Sequence, residues 1–211
     1  PSIENVENRL YTPILPMFIY VNRASLEANE TLQTFMEFVT SAESAEVIEA
    51  AGFVAPTDET ITLNAEILVD PEAGRQFSGT ESEFTIPATL FGQIDISGAA
   101  NAYSLLNNNA TQLGGDSQQL IINIDIEGQA AGIRRLCNGE TDIAILSSEL
   151  ADDALDGCDA NDINTIHVEI GSQATVLVAN SGDTYASCLT TEQINTIWTT
   201  SSTDTVTQWS D

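Results

Sequence analysis

Two glycine-led turns carry the residues best placed to hold a small ligand. In the first, Gln93-Ile-Asp-Ile96 reads as a strand running into Gly98, and Ala102, Leu105, Leu106 and Leu113 recur beyond it at helical spacing. In the second, Leu120–Ile126 reads as a strong strand, followed by a helix from Gly128 to Leu136 with Ile133 and Leu136 inward. Each turn would set backbone N–H groups at a helix N-terminus beyond a strand end, where open α/β sheets bind anions and small ligands. Such turns also serve packing alone, so they select no ligand by themselves.

Other chemistry is thin. His167 is the only histidine and falls mid-strand, which suits a hydrogen-bonded sheet histidine better than a catalytic base. Asp152, Asp153, Asp156, Asp159 and Asp162 form an acidic run, but without the alternate-residue spacing and following Gly and Glu of a calcium loop. A solvated acidic loop is the expectation. No nucleotide loop or zinc spacing is present, so no cofactor, no metal and no enzymatic activity are expected. Asn29-Glu-Thr and Asn109-Ala-Thr are glycosylation sequons, meaningful only in a glycosylating organism. The cysteines at 137, 158 and 188 allow one bridge plus a leftover thiol, an intermolecular pair, or three buried reduced thiols. A Cys137–Cys158 bridge would be worth about 3 kcal/mol by loop-closure arithmetic, leaving Cys188 unpaired or intermolecular.

The elements that must position these groups follow from periodicity. Leu15–Asn22 reads as a buried strand, Leu32, Phe35, Met36 and Val39 as a helix face, and Ala45–Ala51 as a short helix stopped by Gly52. Residues 55–83 are mixed, and Asp70 to Glu83 is polar and linker-like. Asp142–Leu146, Ile166–Ile170 and Thr175–Ala179 read as further strands. Thr190 or Thr191 caps a last helix, with Gln193 near its third position and Ile194, Ile197 and Trp198 inside. Strands alternating with helices imply an α/β sheet with parallel pairs.

Composition narrows the setting. Thirty-two Asp and Glu against five Lys and Arg give a net charge of −27, and all five cations are Arg. That surface repels nucleic acid and anionic membranes, so neither is expected as a partner. Charged residues are only 18% and apolar segments run throughout, which argues against disorder. No stretch approaches 18 apolar residues, so no membrane span is expected. Abundant Ser, Thr, Asn and Gln point to a secreted protein, and Pro1 reads as the start of a processed or trimmed chain.

At this point the sequence resembles the phosphate-type substrate-binding proteins of ABC transporters, especially their cysteine-containing branch. Leu136-Cys-Asn-Gly-Glu-Thr-Asp-Ile-Ala-Ile-Leu-Ser147 is similar to that branch's "F-C-x-G-E-x-D-I-x-x-A-S-R", with Cys158 at the matching second cysteine. Ala174–Asn180 and Cys188–Trp198 resemble its "L-T-V-x-x-N" strand and "C-L-T-x-E-x-L-x-x-I-W" helix, and Trp209-Ser-Asp211 its "N-W-S-D". Residues 90–211 thus resemble the family's N-terminal portion. Pro13–Asn22 resembles "P-L-x-R-P-L-F-I-Y-V-N", a C-terminal feature there, and Gly52-Phe-Val-Ala-Pro56 resembles "V-G-Y-V-P".

The resemblance implies a periplasmic-binding-protein-like lobe: a mixed, mostly parallel sheet flanked by helices, with its segments permuted. Residues 1–68 would match the family's C-terminal part, 69–84 would be a linker, and 85–211 would match the N-terminal lobe, both packing as one domain. Either the lobe is circularly permuted or the chain is cut from a longer one, and the second lobe that would close the cleft is expected to be missing.

The resemblance also implies where a ligand would sit, at Gly98, Ala99, Ala100, Asn101, Gly128, Gln129, Ser147 and Ser148. Here the chain departs from the family. The turn "G-S-S-T-V-Y-P" reads Gly98-Ala-Ala-Asn-Ala-Tyr-Ser104, "S-G-T-G-G-G" reads Glu127-Gly-Gln-Ala-Ala-Gly132, and the Arg of "A-S-R" is Ser148. A buried phosphate depends on several charge-assisted hydrogen bonds of roughly 1.5–3 kcal/mol each. Their loss favours a structural or assembly module, with self-association or neighbouring modules of the same protein as partners. Binding of phosphate, another oxyanion or a small neutral solute is the alternative.

Overall fold

The computed structural model describes residues 2–8, 10–11, 13–69, 87, 90–115, 119–182 and 188–198. Five strands form one sheet: β1 (Ile14–Asn22), β2 (Gly92–Gly98), β3 (Leu120–Ile126), β4 (Ile143–Leu146) and β5 (Thr165–Ala174), in the order β3-β2-β4-β1-β5. β2 is parallel to both β3 and β4. β1 is antiparallel to β4 and to β5, with Phe18 opposite Leu146 and Tyr20 opposite His167. Four strands therefore run one way and β1 runs against them. A strand from the first 22 residues thus sits between two strands that follow residue 142.

Alternation along β1 sends successive side chains to opposite faces. Met17, Ile19 and Val21 face the larger core, with Ile94, Ile96, Ile143, Ile145 and Val168. Helices α3 (Glu30–Val39), α4 (Ala45–Ala50) and α6 (Tyr103–Gly114) cover that face. They bury Leu32, Phe35, Met36, Ile48, Leu105 and Leu106, each almost wholly removed from water. Each such side chain contributes roughly 1.5–3 kcal/mol of transfer free energy. α3 begins where the Asn29 side chain accepts the N–H groups of Thr31 and Leu32. α4 ends before Gly52, whose φ of +87° only glycine adopts at no cost.

The opposite face is thinner. Tyr20, Ala144 and Leu146 meet Leu136 of α7 (Gln129–Cys137), with Phe18, Ile133, Leu150 and Leu155 packed around them. α7 approaches β2 so closely that a side chain at Gly132 would stand 2.7 Å from the Gly98 Cα. The Cys137–Cys158 disulfide joins the end of α7 to the short helix α8 (Asp156–Asp159). The acidic run is thus broken into a 3-10 turn over Asp152–Leu155 and α8, and Asp153, Asp156, Asp159 and Asp162 are exposed. No group of three His, Cys, Asp or Glu side chains among the described residues can hold a metal ion.

Most expected elements form, with these differences. Four helices were not anticipated: α1 (Ile3–Glu7), α2 (Arg23–Ala28), α5 (Asp58–Val69) and, in the acidic run, α8. α5 lacks a clear apolar stripe, because Thr60, Thr62 and Asn64 interrupt it. The expected strand Thr175–Ala179 does not form. β5 takes in Ile166–Ile170 and runs on to Ala174; beyond the Thr175 N–H, which donates to the Pro13 carbonyl, the backbone has no ladder partner among the described residues, and Val178 is 90% exposed. Strand propensity needs a partner strand to be expressed.

Contacts divide the chain after Thr175, into Pro1–Thr175 and Val176–Asp211, later than the 69–84 stretch singled out in the sequence. Within the second unit, α9 (Thr191–Trp198) carries the anticipated capping box. The Gln193 N–H donates to Thr190 Oγ1 at 3.2 Å, and the Thr190 N–H donates to Gln193 Oε1 at 2.8 Å. Trp198, expected inside, is 63% exposed. Residues 70–86 and 199–211, including the Trp209 motif, lie outside the described residues.

Candidate ligand site at the strand ends

Parallel pairing brings the C-terminal ends of β2, β3 and β4 side by side, with Gly98 level with Ile126 and with Ile145. The residues that follow these ends are the ones singled out in the sequence: Gly98–Asn101 after β2, Gly128 and Gln129 after β3, and Ser147 and Ser148 after β4. Glycine is required at 98, where φ is +141° and a side chain would collide with the Ile145 backbone.

An anion would need unpaired N–H donors here, and several already have partners. The Ala99 N–H donates to the Ile145 carbonyl, the Gly128 N–H to the Gly98 carbonyl and the Ala102 N–H to the Ala99 carbonyl. The Ser147 N–H donates to Gln129 Oε1 at 2.8 Å. A neutral side-chain oxygen of the protein thus stands where a ligand oxygen would accept. Among the described residues, Asn101 makes one long contact, Nδ2 to the Met17 sulfur at 3.9 Å. Ala99 is buried, and Ala100, Asn101, Gln129 and Ser148 are exposed. No side chain caps the start of α7 at Gly128.

The charges around this edge are mostly negative. Arg135 on α7 donates to Asp125 at 2.7 Å and to Glu127 at 3.2 Å, with Glu140 at 3.5 Å. The hydrogen bond to Asp125, with the charges of Glu127 and Glu140, holds the guanidinium protonated more firmly than usual. Arg135 is therefore committed to three carboxylates.

The loop after β4 is tied down from the thin face. The Leu150 N–H donates to Tyr20 Oη at 2.8 Å, and His167 Nε2 lies 3.2 Å from Glu149 Oε1. The His167 ring stacks on Tyr20 with centroids 5.0 Å apart and meets Phe18 edge-on at 6.3 Å. Burial, together with the nearby Glu149 charge, pushes the Tyr20 hydroxyl pKa up against a lowering hydrogen bond from Leu150. His167 is accordingly a sheet histidine held by stacking and one carboxylate.

The Gln129–Ser147, Tyr20–Leu150 and Glu149–His167 contacts were not read from the sequence. They span 18, 130 and 18 residues, and no local pattern marks them. Of the cysteines, Cys137 and Cys158 are bridged and Cys188 is a free, exposed thiol. Neither sequon offers a free amide. Asn29 Nδ2 donates to the Gln93 carbonyl at 3.1 Å, while Asn109 is 1% exposed and donates to the Leu105 carbonyl.

Three comparisons bear on this architecture. Residues 84–211 match the family described as "PBP superfamily domain". Protein SphX of Synechocystis sp. is 24% identical over 123 residues, which is 58% of this chain but only 37% of SphX. A crystal structure of a phosphate ABC transporter phosphate-binding protein from Streptococcus pneumoniae superposes with a TM-score of 0.75 at 18% identity, covering the whole of this chain and 67% of that one. That likeness accounts for the mixed sheet and its flanking helices. On the family match the chain belongs to the PBP superfamily, with a phosphate-binding-protein-like fold.

Proposed function

We propose that this chain is a secreted, non-catalytic module that uses the phosphate-binding-protein-like fold as a unit of assembly, not as a phosphate trap. The observation that carries this reading is the Gln129–Ser147 hydrogen bond, which fills a donor at the strand ends from within the protein. Ala99 and Ala100 supply no hydroxyl there, and Asp125 and Glu127 take up Arg135. A phosphate would have to displace the amide and approach Asp125 and Glu127, which already hold Arg135, and that costs more than a neutral hydrogen bond returns. A reversed segment order, as the sequence resemblance implies, would fit the same reading, because a module completed by its neighbour's segment assembles head to tail. The exposed Cys188 thiol offers a crosslinking point. The Cys137–Cys158 disulfide fits an oxidising, extracytoplasmic compartment.

The test is calorimetric titration with phosphate, arsenate and sulfate, paired with sedimentation over a range of protein concentrations. No heat of oxyanion binding is expected at micromolar ligand, together with concentration-dependent association. Micromolar phosphate binding lost in the Asn101→Ala, Gln129→Ala double variant, by a uniformly monomeric protein, overturns the proposal.

One observation favours a second reading, binding of a small oxyanion: the start of α7 has no side-chain cap and points beyond the strand ends. The similarity to a phosphate-binding protein of an ABC transporter supports it. In that case Gln129→Ser, which frees the Ser147 N–H, tightens oxyanion binding.

A further inference from the structure

The two edges of the five-stranded sheet differ. β5 ends the sheet on one side, and its outer edge is occupied towards the end of the strand. Asn64 of α5 donates to the Glu169 carbonyl at 2.7 Å, and Val54 and Ser172 exchange backbone hydrogen bonds of 2.7 and 2.9 Å. β3 ends the sheet on the other side, and among the described residues nothing hydrogen-bonds to its outer edge. The Gly92 N–H donates to the Gln119 carbonyl at 3.0 Å, which fixes the phase of the parallel ladder. Ile121, Asn123 and Asp125 therefore turn their backbone groups towards β2. Those of Leu120, Ile122, Ile124 and Ile126 point away from the sheet.

An open edge of this kind is a template for another strand, and proteins usually blunt it with lysine, proline or a bulge. β3, Leu-Ile-Ile-Asn-Ile-Asp-Ile, has neither Lys nor Pro and pairs with β2 without a register shift. Its one charge is compensated, since Arg135 donates to Asp125 at 2.7 Å. Asn123 is turned back onto the sheet, with Nδ2 donating to Asp95 at 2.7 Å. Ile121 and Ile126 stay 51% and 41% exposed. On a chain of net charge −27, a second copy approaching β3 thus meets no bare carboxylate on the strand itself.

We propose that β3 is a self-pairing edge, at which two copies of the chain join their β3 strands antiparallel about a two-fold axis. Charge selects the register. An axis through Asn123 sets Ile122 opposite Ile124, Leu120 opposite Ile126 and Ile121 opposite Asp125, so all 7 residues pair. Residues with outward backbone groups then face one another, as antiparallel hydrogen-bonded pairs require. The two Asp125 side chains stand roughly 14 Å apart along the strands, beyond the screening length of about 10 Å at 0.1 M salt. An axis through Asp125 would instead set like charges directly opposite. A patch complementary to itself is what a two-fold dimer needs. The inference rests on the self-association proposed above and supplies a surface for it, without depending on segment order.

The experiment joins sedimentation to amide hydrogen exchange in about 1 M NaCl, where repulsion between copies is screened within about 3 Å. A monomer–dimer equilibrium is expected between about 1 μM and 1 mM protein, in the weak class of small interfaces. At the higher concentration exchange should slow at Leu120, Ile122, Ile124 and Ile126, and not at Ile121, Asn123 and Asp125, which β2 already holds. Association without that alternating gain overturns the inference and leaves the assembly reading standing. A chain that stays monomeric throughout overturns both. Ile121→Asp and Ile121→Lys test the register, because they set a like or an opposite charge across from Asp125 of the second copy. The axis repeats the pair, so dimer affinity should differ about 5-fold or more between these variants. Ile3→Asp and Ile3→Lys, on α1 at a residue 55% exposed, make the same charge change away from β3 and should differ little. Equal differences at both positions mean general charge repulsion and overturn the pairing.

Discussion

The two faces of the sheet are stabilised differently. Under α3, α4 and α6, Phe35, Phe38, Met36, Leu105 and Leu106 bury themselves against the β-branched side chains of the strands. Under α7 the apolar cluster is small, and three devices substitute for volume: a disulfide, a glycine-on-glycine contact, and polar ties from Tyr20 and His167 to the loop after β4. The second turn of the candidate ligand edge leads into α7 on the thin face, while the first leads into α6 on the thick one. A loop that presents polar groups cannot also be packed with apolar bulk, so it is positioned by crosslinks and hydrogen bonds.

Phe35→Ala should have the largest effect, about 3–5 kcal/mol of lost stability, as expected for truncating a fully buried aromatic. Urea denaturation reads it directly. A loss of under 1 kcal/mol would break the comparison by showing that the thick face does not dominate stability.

Removing the crosslink with Cys137→Ser and Cys158→Ser should cost about 3 kcal/mol for a 21-residue separation. The comparison makes a sharper demand, which hydrogen exchange can read residue by residue. Protection should fall most in α7 and α8 and least in α3 and α6, whereas a uniform fall contradicts the division.

Tyr20→Phe is the smallest change, costing about 1–3 kcal/mol because the Leu150 N–H loses its acceptor at a part-buried site. It also carries a sign. Burial raises the folded pKa of Tyr20 above the unfolded value of 10.0, so the native state holds that proton longer. The associated stability is complete below about pH 10 and is lost as pH rises through the folded value. Urea midpoints taken between pH 9 and pH 11 should fall for the natural chain and fall less for Tyr20→Phe. Parallel curves would remove Tyr20 from the ties that hold the thin face.

Legibility in the sequence followed the range of the interaction. Gly52 and the Thr190–Gln193 box are set by neighbours three or four residues away, and the chain shows them as patterns. α5 was not legible because its Thr and Asn residues give no amphipathic period, although Asn64 is buried and donates to the Glu169 carbonyl. Thr175–Ala179 misled for the converse reason, since Val-Leu-Val has the composition of a strand but no strand beside it among the described residues. The Asn109 sequon could not be judged without α6, which turns that side chain into the molecule.

The sequence by itself determined the two glycine turns, the substitutions that strip them of hydroxyls, and the family to which residues 84–211 belong. Each is written in consecutive residues, so no fold is needed to see it. Only the tertiary structure decided that β1 enters the sheet between β4 and β5, and that Gln129 fills the Ser147 donor. It alone occupied the outer edge of β5 and left that of β3 without a hydrogen-bond partner among the described residues. Those outcomes depend on groups far apart in the chain, whose meeting is set by burial of the whole sheet and not by any local preference.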